Sequence, residues 1–311
     1  MLALPPRAAP PYHRFMPPPT NPPISSQTPL GRPRVLVLGA GRKAGLAESA
    51  ERMRPLLDAH VDVVLWDMAF ERDLSTVEAD WAIVFGGDGS ILRAAKQMGY
   101  HQRPMLGVNL GKLGFLADLD PHELPAMLPE LCAGRGRVVE HLMFECALVR
   151  HDQTVWTELG LNETAVVSAS FGLMDVELRV DAEWVTTYSC DGLIVSTPVG
   201  STAHNLSAGG PILRQDLDAF VIAPIGPHTL TMRPLVDSAE RTYELKVPAA
   251  TTDPHVVVDG RDCGVLETTD RLQIRRAEPR CKLMEAPGHS YYRTLRHKLG
   301  WSGSFTNGGT R

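Results

Sequence analysis

Cysteine is scarce in this 311-residue chain, and Cys132, Cys146, Cys190, Cys263 and Cys281 are odd in number, far apart and never in a CxxC pair. Such spacing signals neither a disulfide framework nor a thiolate zinc site, and it fits a reduced, cytoplasmic setting. An excess of positive charge is missing too, with 31 Lys and Arg against 36 Asp and Glu and a formal net charge of −5. Proteins that track nucleic-acid phosphates ordinarily need a basic surplus, so no nucleic-acid partner is expected. A small anionic ligand stays open, because a cluster of backbone amides with a few cations suffices to hold it. No apolar run approaches the roughly 20 residues that span a bilayer, so no membrane partner is expected either. The pattern GxxxxGK[ST] does not occur, which excludes the Walker arrangement. No internal repeat is visible.

What is present is a chain with 43% hydrophobic residues, ordinary for a packed globular protein and long enough for two domains. Residues 1–33 are a proline-rich leader, with Pro17-Pro18-Pro19 and Pro22-Pro23. They lack the apolar core of a secretory signal and read as disordered or polyproline-like. Short apolar runs at Val35–Leu38, Val61–Trp66, Ala82–Phe85 and Met105–Val108 then alternate with helix-compatible stretches at Leu46–Ala59, Ser90–Met98 and His122–Leu131. That alternation predicts parallel strands covered on both faces over residues 34–137. The rhythm changes afterwards. Val176, Leu178 and Val180 alternate with Glu177, Arg179 and Asp181, and Tyr243, Leu245 and Val247 alternate with Glu244 and Lys246. A period of two predicts half-exposed antiparallel strands, hence a β-rich domain over residues 138–280. The remainder, 281–311, carries a short basic helix over Tyr291–Trp301.

Two glycine loops compete as ligand sites. Gly39-Ala40-Gly41-Arg42-Lys43-Ala44 follows a strand and fits the loose pattern GxGxxA, with Asp67 at the end of the second strand. It reads either as a dinucleotide fingerprint of a dehydrogenase or as a plain strand-to-helix turn. Phe85-Gly86-Gly87-Asp88-Gly89-Ser90 is the more informative. Gly86, Gly87 and Gly89 let the backbone turn sharply and expose amides, which with Ser90 at a helix N-terminus would cradle phosphate oxygens. Asp88 is an awkward charge in an anion cradle unless it serves chemistry or faces a metal; the alternative is that it caps a helix beginning near Ser90.

The loop GGDGS is shared in outline by NAD kinases, lipid kinases and phosphofructokinases, and downstream residues separate them. These are MLGVNLGKLGFLA at 105–117, LNETAVV at 161–167, DGLIVSTPVGSTAHNLSAGGPIL at 191–213, APIGPHTLTMRPLV at 223–236, and Val258-Asp259-Gly260. The ordered series resembles the NAD kinase family from about residue 34 onward. Lipid kinases usually place Asn-Glu directly after the glycine loop, whereas Asn162-Glu163 lies far from it, and the phosphofructokinase motif TIDND is absent.

The resemblance implies a Rossmann-like α/β domain followed by an antiparallel β-rich domain, with the C-terminal tail returning to the first. It implies transfer of a phosphoryl group from ATP or polyphosphate, with Mg²⁺ or another divalent metal, to the adenosine-ribose 2′-hydroxyl of NAD. Asp88 takes the family's base position. Asn162, Thr202 and Ser207 match positions that hold the adenine, and Phe115 packs its ring against it. Glu163 matches a contact to the ribose hydroxyl on the nicotinamide side, and Asp191 one near the carboxamide. No protein-held metal site is implied. The family forms dimers or tetramers whose NAD site draws on a neighbouring subunit. Thr202-Ala203-His204 stands where the family has Thr-Ala-Tyr, so the ring contact beside the dinucleotide differs here. His228 and Arg233 also match family positions, without a separate chemical argument for a role. From the residues alone, Asn162-Glu163 also reads as a turn at a strand start, and Thr202 and Ser207 as surface hydroxyls.

Overall fold

The computed structural model describes residues 31–301 except 42–44, 112–113, 118, 170–171, 230, 250–252 and 286–289. The expected leader therefore lies outside the described residues apart from 31–33, as does the end of the first glycine loop. The first unit runs β1 (Arg34–Gly39), α1 (Leu46–His60), β2 (Asp62–Asp67), β3 (Trp81–Phe85), α2 (Asp88–Met98), β4 (Met105–Val108) and α3 (Leu124–Cys132). Its strands lie in the order β2-β1-β3-β4 and are all parallel. Both faces of the central strands are apolar, which is why the sequence shows unbroken runs rather than alternation. Val35, Val37, Ile83 and Phe85 pack with Leu46 and Leu57 of α1 and Leu124 and Leu128 of α3. Leu36, Leu38, Ala82 and Val84 face the other way, onto Ile91, Ala94, Ala95 and Met98 of α2. That 3–4 residue spacing is the buried stripe of a surface helix, and Gly99, at φ +54°, ends it.

The chain goes from β1 to β2 on one side and then returns to place β3 on the other. A reversal of this kind opens a crevice beyond the carboxyl ends of the two strands, here β1 and β3. Gly39 pairs with Phe85 across them, so both glycine loops emerge side by side at the crevice.

The remainder is strand-rich: β5 (Arg137–Arg150), β6 (Gln153–Gly160), β7 (Glu163–Ser168), β8 (Met174–Val180), β9 (Glu183–Cys190), β10 (Gly192–Ser196), the short α4 (His204–Ser207), β11 (Ala219–Ile225), β12 (Leu235–Ser238), β13 (Tyr243–Lys246), β14 (Pro254–Val258), β15 (Arg261–Val265), β16 (Arg271–Glu285) and α5 (Tyr291–Leu299). One antiparallel sheet has the order β12-β11-β10-β7-β14-β15. Its inner face, including Val166, Leu193, Val195, Phe220 and Val256, packs on Phe144, Val176, Leu178, Tyr243 and Ile274 of the larger sheet. The period-two reading of β8 holds, with Val176 and Leu178 fully buried and Glu177 and Arg179 facing outward.

The larger sheet does not stop between the units. The 15-residue β16 pairs antiparallel with β5 along its length and with β13 near its start. Near its end Leu283 pairs in parallel with Met105 of β4. The last long strand of the chain thus extends the parallel sheet of the first unit. No helix among the described residues is long and apolar enough to cross a membrane.

Candidate active site

The second glycine loop is shaped by contacts that a side chain would break. Gly86 has φ +139°, a region that glycine tolerates, and a Cβ there would overlap the hydroxyl of buried Ser90. Gly87 and Gly89 differ: a Cβ on either would meet nothing within 4 Å. Helix α2 begins at Asp88, two residues earlier than its apolar pattern indicates, with Gly87 as an N-cap that provides no side-chain bond.

Asp88 is not spent as a cap. Its Oδ1 accepts the backbone N–H groups of Leu116 at 2.9 Å and Ala117 at 3.2 Å, and its Oδ2 accepts that of Phe115 at 2.9 Å. The carboxylate is therefore locked to the 114–117 turn, where Gly114 N–H donates to Ala117 O at 3.1 Å. Phe115 itself is half-buried, with Lys298 Nζ of α5 at 5.2 Å from its ring centre.

A second carboxylate repeats this device. Asp259 and Gly260 form the two-residue turn between β14 and β15 with φ of +46° and +74°, the Asp-Gly hairpin geometry. Asp259 accepts the N–H of Leu161 and Asn162 at 2.8 Å and of Glu163 at 3.2 Å. Three donors hold Asn162-Glu163 at the head of β7. Glu163 is 8% exposed, and its Oε2 has no partner among the described residues. Burial first, and then the charge of Asp259, push its carboxyl up to about 8. Asp259 is also raised by burial, against the pull of its three N–H donors.

The 197–207 segment folds onto the same strand head. Thr197 N–H donates to Asn162 O at 2.9 Å, and a Cβ on Gly200 would overlap that carbonyl. Thr202, half-buried, donates its hydroxyl to Val199 O at 3.1 Å, and Ala203 follows it. His204 and Ser207 are exposed at the two ends of α4, which buried Asn205 ties to Ser201 O and Pro211 O at 3.0 Å. His204 is thus an open surface ring and not a core imidazole.

Apolar packing joins the two sets. Ile91, Leu116 and Ala117, beside Asp88, share one buried cluster with Leu161 and Val199, beside Asn162 and Thr202. Full burial of each of the Ile, Leu and Val side chains stabilises by about 1.5–3 kcal/mol, so the juxtaposition is firmly held.

Asp191 is not brought to this cluster. Glu163 pairs with Ser196 at one end of β10, and Asp191 precedes Gly192 at the other. Five residues of strand are about 17 Å. Asp191 lies instead 3.8 Å from His228 Nε2.

Asp67, the acidic residue of the dinucleotide reading, is buried and occupied. It accepts the N–H of Ala69, Glu71 and Arg72 at 2.9 Å and Gln97 Nε2 at 2.8 Å, fixing the 68–72 loop to α2. A Cβ on Gly39 or Gly41 would run into Met68. Gly41, which meets the Met68 backbone, is required by packing, and Asp67 is buried with four N–H donors already on its carboxylate. Asp259 is a positioning residue that sequence reasoning missed, although an Asp-Gly pair between alternating strands is a legible hairpin signal.

A carboxylate fixed at the switch-point crevice, beside a glycine loop opening onto a helix and facing a sheet-borne set of polar groups, defines a phosphotransferase acting on a nucleotide hydroxyl. The comparisons make this specific. Residues 37–136 match the family model for the ATP-NAD kinase N-terminal domain, and residues 161–286 match that for the C-terminal domain. The NAD kinase of Rhodopirellula baltica is 49% identical over 272 residues, covering 87% of this chain and 88% of that protein. That of Nitrosomonas eutropha is 39% identical over 226 residues, or 72% and 76%. Among solved structures, an NAD kinase from Archaeoglobus fulgidus in complex with ATP matches with TM-score 0.69 and 27% identity, over 86% of this chain and 98% of that one. A yeast NADH kinase complexed with NADH matches in fold with TM-score 0.81 at 22% identity, over 89% and 90%. The chain belongs to the NAD kinase family, and its activity is the phosphorylation of NAD.

Proposed function

We propose that Asp88 Oδ2 receives the proton of the adenosine-ribose 2′-hydroxyl of NAD as the terminal phosphoryl group of ATP moves to that oxygen. The ribose O–P bond forms, the bridging P–O bond to the leaving diphosphate breaks, and the products are NADP and ADP. The observation that carries this is the use of lone pairs at Asp88. A carboxylate has about four acceptor sites. Oδ1 receives two N–H groups and Oδ2 one, which leaves a site on Oδ2 for a substrate hydroxyl. Phosphoryl transfer depends chiefly on positioning and charge neutralisation, and a base in reach adds about 10²–10⁴ in rate.

Asp88 and Gly89 carry the first N–H groups of α2, which have no acceptor inside the helix and suit phosphate oxygens. Mg²⁺ on the donor would neutralise charge at the transferred group. The donor phosphates would be its main ligands, with Asp88 beside them.

For NAD, the unpartnered Oε2 of Glu163 suits the hydroxyl of the nicotinamide-side ribose. Asn162 both donates and accepts, as an adenine edge requires. Phe115 packs against the adenine, and Thr202, Ala203, His204 and Ser207 border it. Asp191, at the far end of β10, serves the carboxamide of NAD bound by a neighbouring copy in a cytoplasmic homodimer or homotetramer. The test is NADP formation by the full chain from NAD and Mg–ATP, repeated with Asp88→Asn. Near-normal turnover in the variant sinks the assignment of Asp88.

A further inference from the structure

Helix α5 touches both sets of residues that the site brings together, and it is built to keep its shape. Ser290 caps its start by accepting the N–H of Arg293 at 3.2 Å, and Gly300, at φ +65°, ends it. Arg296, His297 and Lys298 stand in its last turn, where the helix dipole favours cations. Tyr291, Thr294, Leu295 and Lys298 follow the three-to-four spacing of a single helix face. Thr294 and Leu295 are buried, so that face is turned inward, and Lys298 stands on it although its side chain is exposed. From Tyr291 to Lys298 the face is about 10 Å long.

Each end of the face holds a different wall. At the start, the hydroxyl of Tyr291 donates to Leu213 O at 3.1 Å, and the guanidinium of Arg214 lies 5.9 Å from the ring centre of Tyr292. Leu213 in turn donates its N–H to the hydroxyl of buried Ser201 at 2.9 Å, next to Thr202. At the last turn, Lys298 Nζ stands over the ring of Phe115. Phe115 belongs to the turn that clasps Asp88. No carboxylate among the described residues pairs with Lys298, so the ring is what its ammonium is matched to. An aromatic ring has two faces. The cation takes one of them and leaves the other for a second flat group.

We propose that Lys298 is a positioning residue for NAD. It sets the ring of Phe115 before the dinucleotide arrives, so that the adenine meets a face already in place. The inference rests on the reading of Phe115 as the surface on which the adenine packs. Binding then avoids the entropy of ordering that side chain, which is how a prearranged contact gains affinity. The fixed, capped helix and its anchor on Leu213 keep the ammonium where the ring needs it. Asp88 is held by backbone N–H groups and not by the ring. Lys298 therefore acts on acceptor binding and leaves proton transfer alone.

The test uses the full chain with Lys298→Met, Phe115→Leu, the double variant and Lys298→Arg. NAD dissociation constants come from calorimetry, and kcat is measured with NAD and Mg–ATP saturating. Lys298→Met keeps the stem and removes the charge. Its NAD dissociation constant should rise about two- to fivefold, the range for one exposed cation–ring contact. Its kcat should stay within about twofold of wild type. Lys298→Arg keeps a cation over the ring and should restore the affinity. The double variant should bind NAD no more weakly than Phe115→Leu alone, because the cation then has no ring to hold. Losses that multiply in the double variant overturn the proposal, since Lys298 would then act by another route. So does wild-type affinity in Lys298→Met while Phe115→Leu is weakened. Failure of the underlying reading looks different: Phe115→Leu then binds NAD as wild type does, and the proposal falls with it.

Discussion

Gly114 faces Asp88 so closely that a Cβ on the glycine would overlap the carboxylate oxygen Oδ1. The glycine is needed for what stands opposite it, since its own φ is not in the left-handed region. Gly114→Ala should push the carboxylate off the N–H groups of residues 115–117. We expect kcat to fall about 10²-fold or more, by misplacing a base worth about 10²–10⁴. A stability loss of about 1–3 kcal/mol from overpacking should accompany it. Chemical denaturation and steady-state NADP formation measure the two effects. An unchanged kcat would show that the position of Asp88 is immaterial.

Asp88→Asn is expected to lower turnover by about 10²–10⁴, but it is not structurally silent. An amide has one accepting oxygen, so its NH₂ must face either the N–H of Phe115 or those of Leu116 and Ala117. A donor facing a donor costs about 1–3 kcal/mol where it is shielded from water. Melting temperature and NAD affinity should therefore be recorded with the rate, and a variant that keeps its rate refutes the role.

Gly89→Ala separates stability from function. Position 89 lies in the first turn of α2 with open space around it, and alanine there gains at most about 0.8–1 kcal/mol of helix propensity. The variant should melt at the same temperature or higher, while its kcat/KM for ATP drops at least several-fold because the methyl group stands where a phosphate must pass. Lower stability, or full activity, contradicts this.

Glu163 makes stability depend on pH with a definite sign. Its folded carboxyl titrates near 8, above the ordinary carboxylate range. Below about pH 4.5 it is protonated whether folded or unfolded, and no penalty arises. Between about 4.5 and 8 the unfolded chain releases this proton and the folded chain keeps it, so folding weakens as pH rises. Glu163→Gln removes the effect. Relative to wild type, the variant should gain up to about 1.4 kcal/mol per pH unit across that window and level off above pH 8. Denaturation midpoints at pH 5, 6.5 and 8 decide it; parallel curves would mean that Glu163 is ionised in the fold.

Much of the architecture was legible because local pattern and tertiary role agree. The apolar runs of β1, β3 and β4 are buried on both faces, and α2 carries its buried stripe where the spacing places it. Three of the conspicuous motifs, around Asp88, Asn162 and Thr202, also share one buried cluster. What could not be read was partnership across long separations. Asp88 meets residues 115–117 and Asp259 meets residues 161–163 through backbone N–H groups, and amides carry no sequence signature. Asp67 left the first glycine loop open to two readings for the same reason, since the backbone N–H groups that occupy it carry no signature. Asp191 matches its motif but stands at the wrong end of β10 for a single-chain site, which only the strand register reveals.

The pairing of β16 with β4 also determines when this protein can become whole. On the ribosome the four parallel strands are complete once Val108 has emerged, yet the outer edge of β4 is then covered only at its Val108 end, by the bridge to Leu119. Its partner, around Leu283, is made near the end of synthesis. Until then the Met105 end of a fully buried-type strand keeps an open outer edge, the kind that invites association with other chains. The module that holds Asp88 therefore cannot be cut out at residue 136 and expected to remain soluble. Its last structural strand is supplied from the other end of the polypeptide.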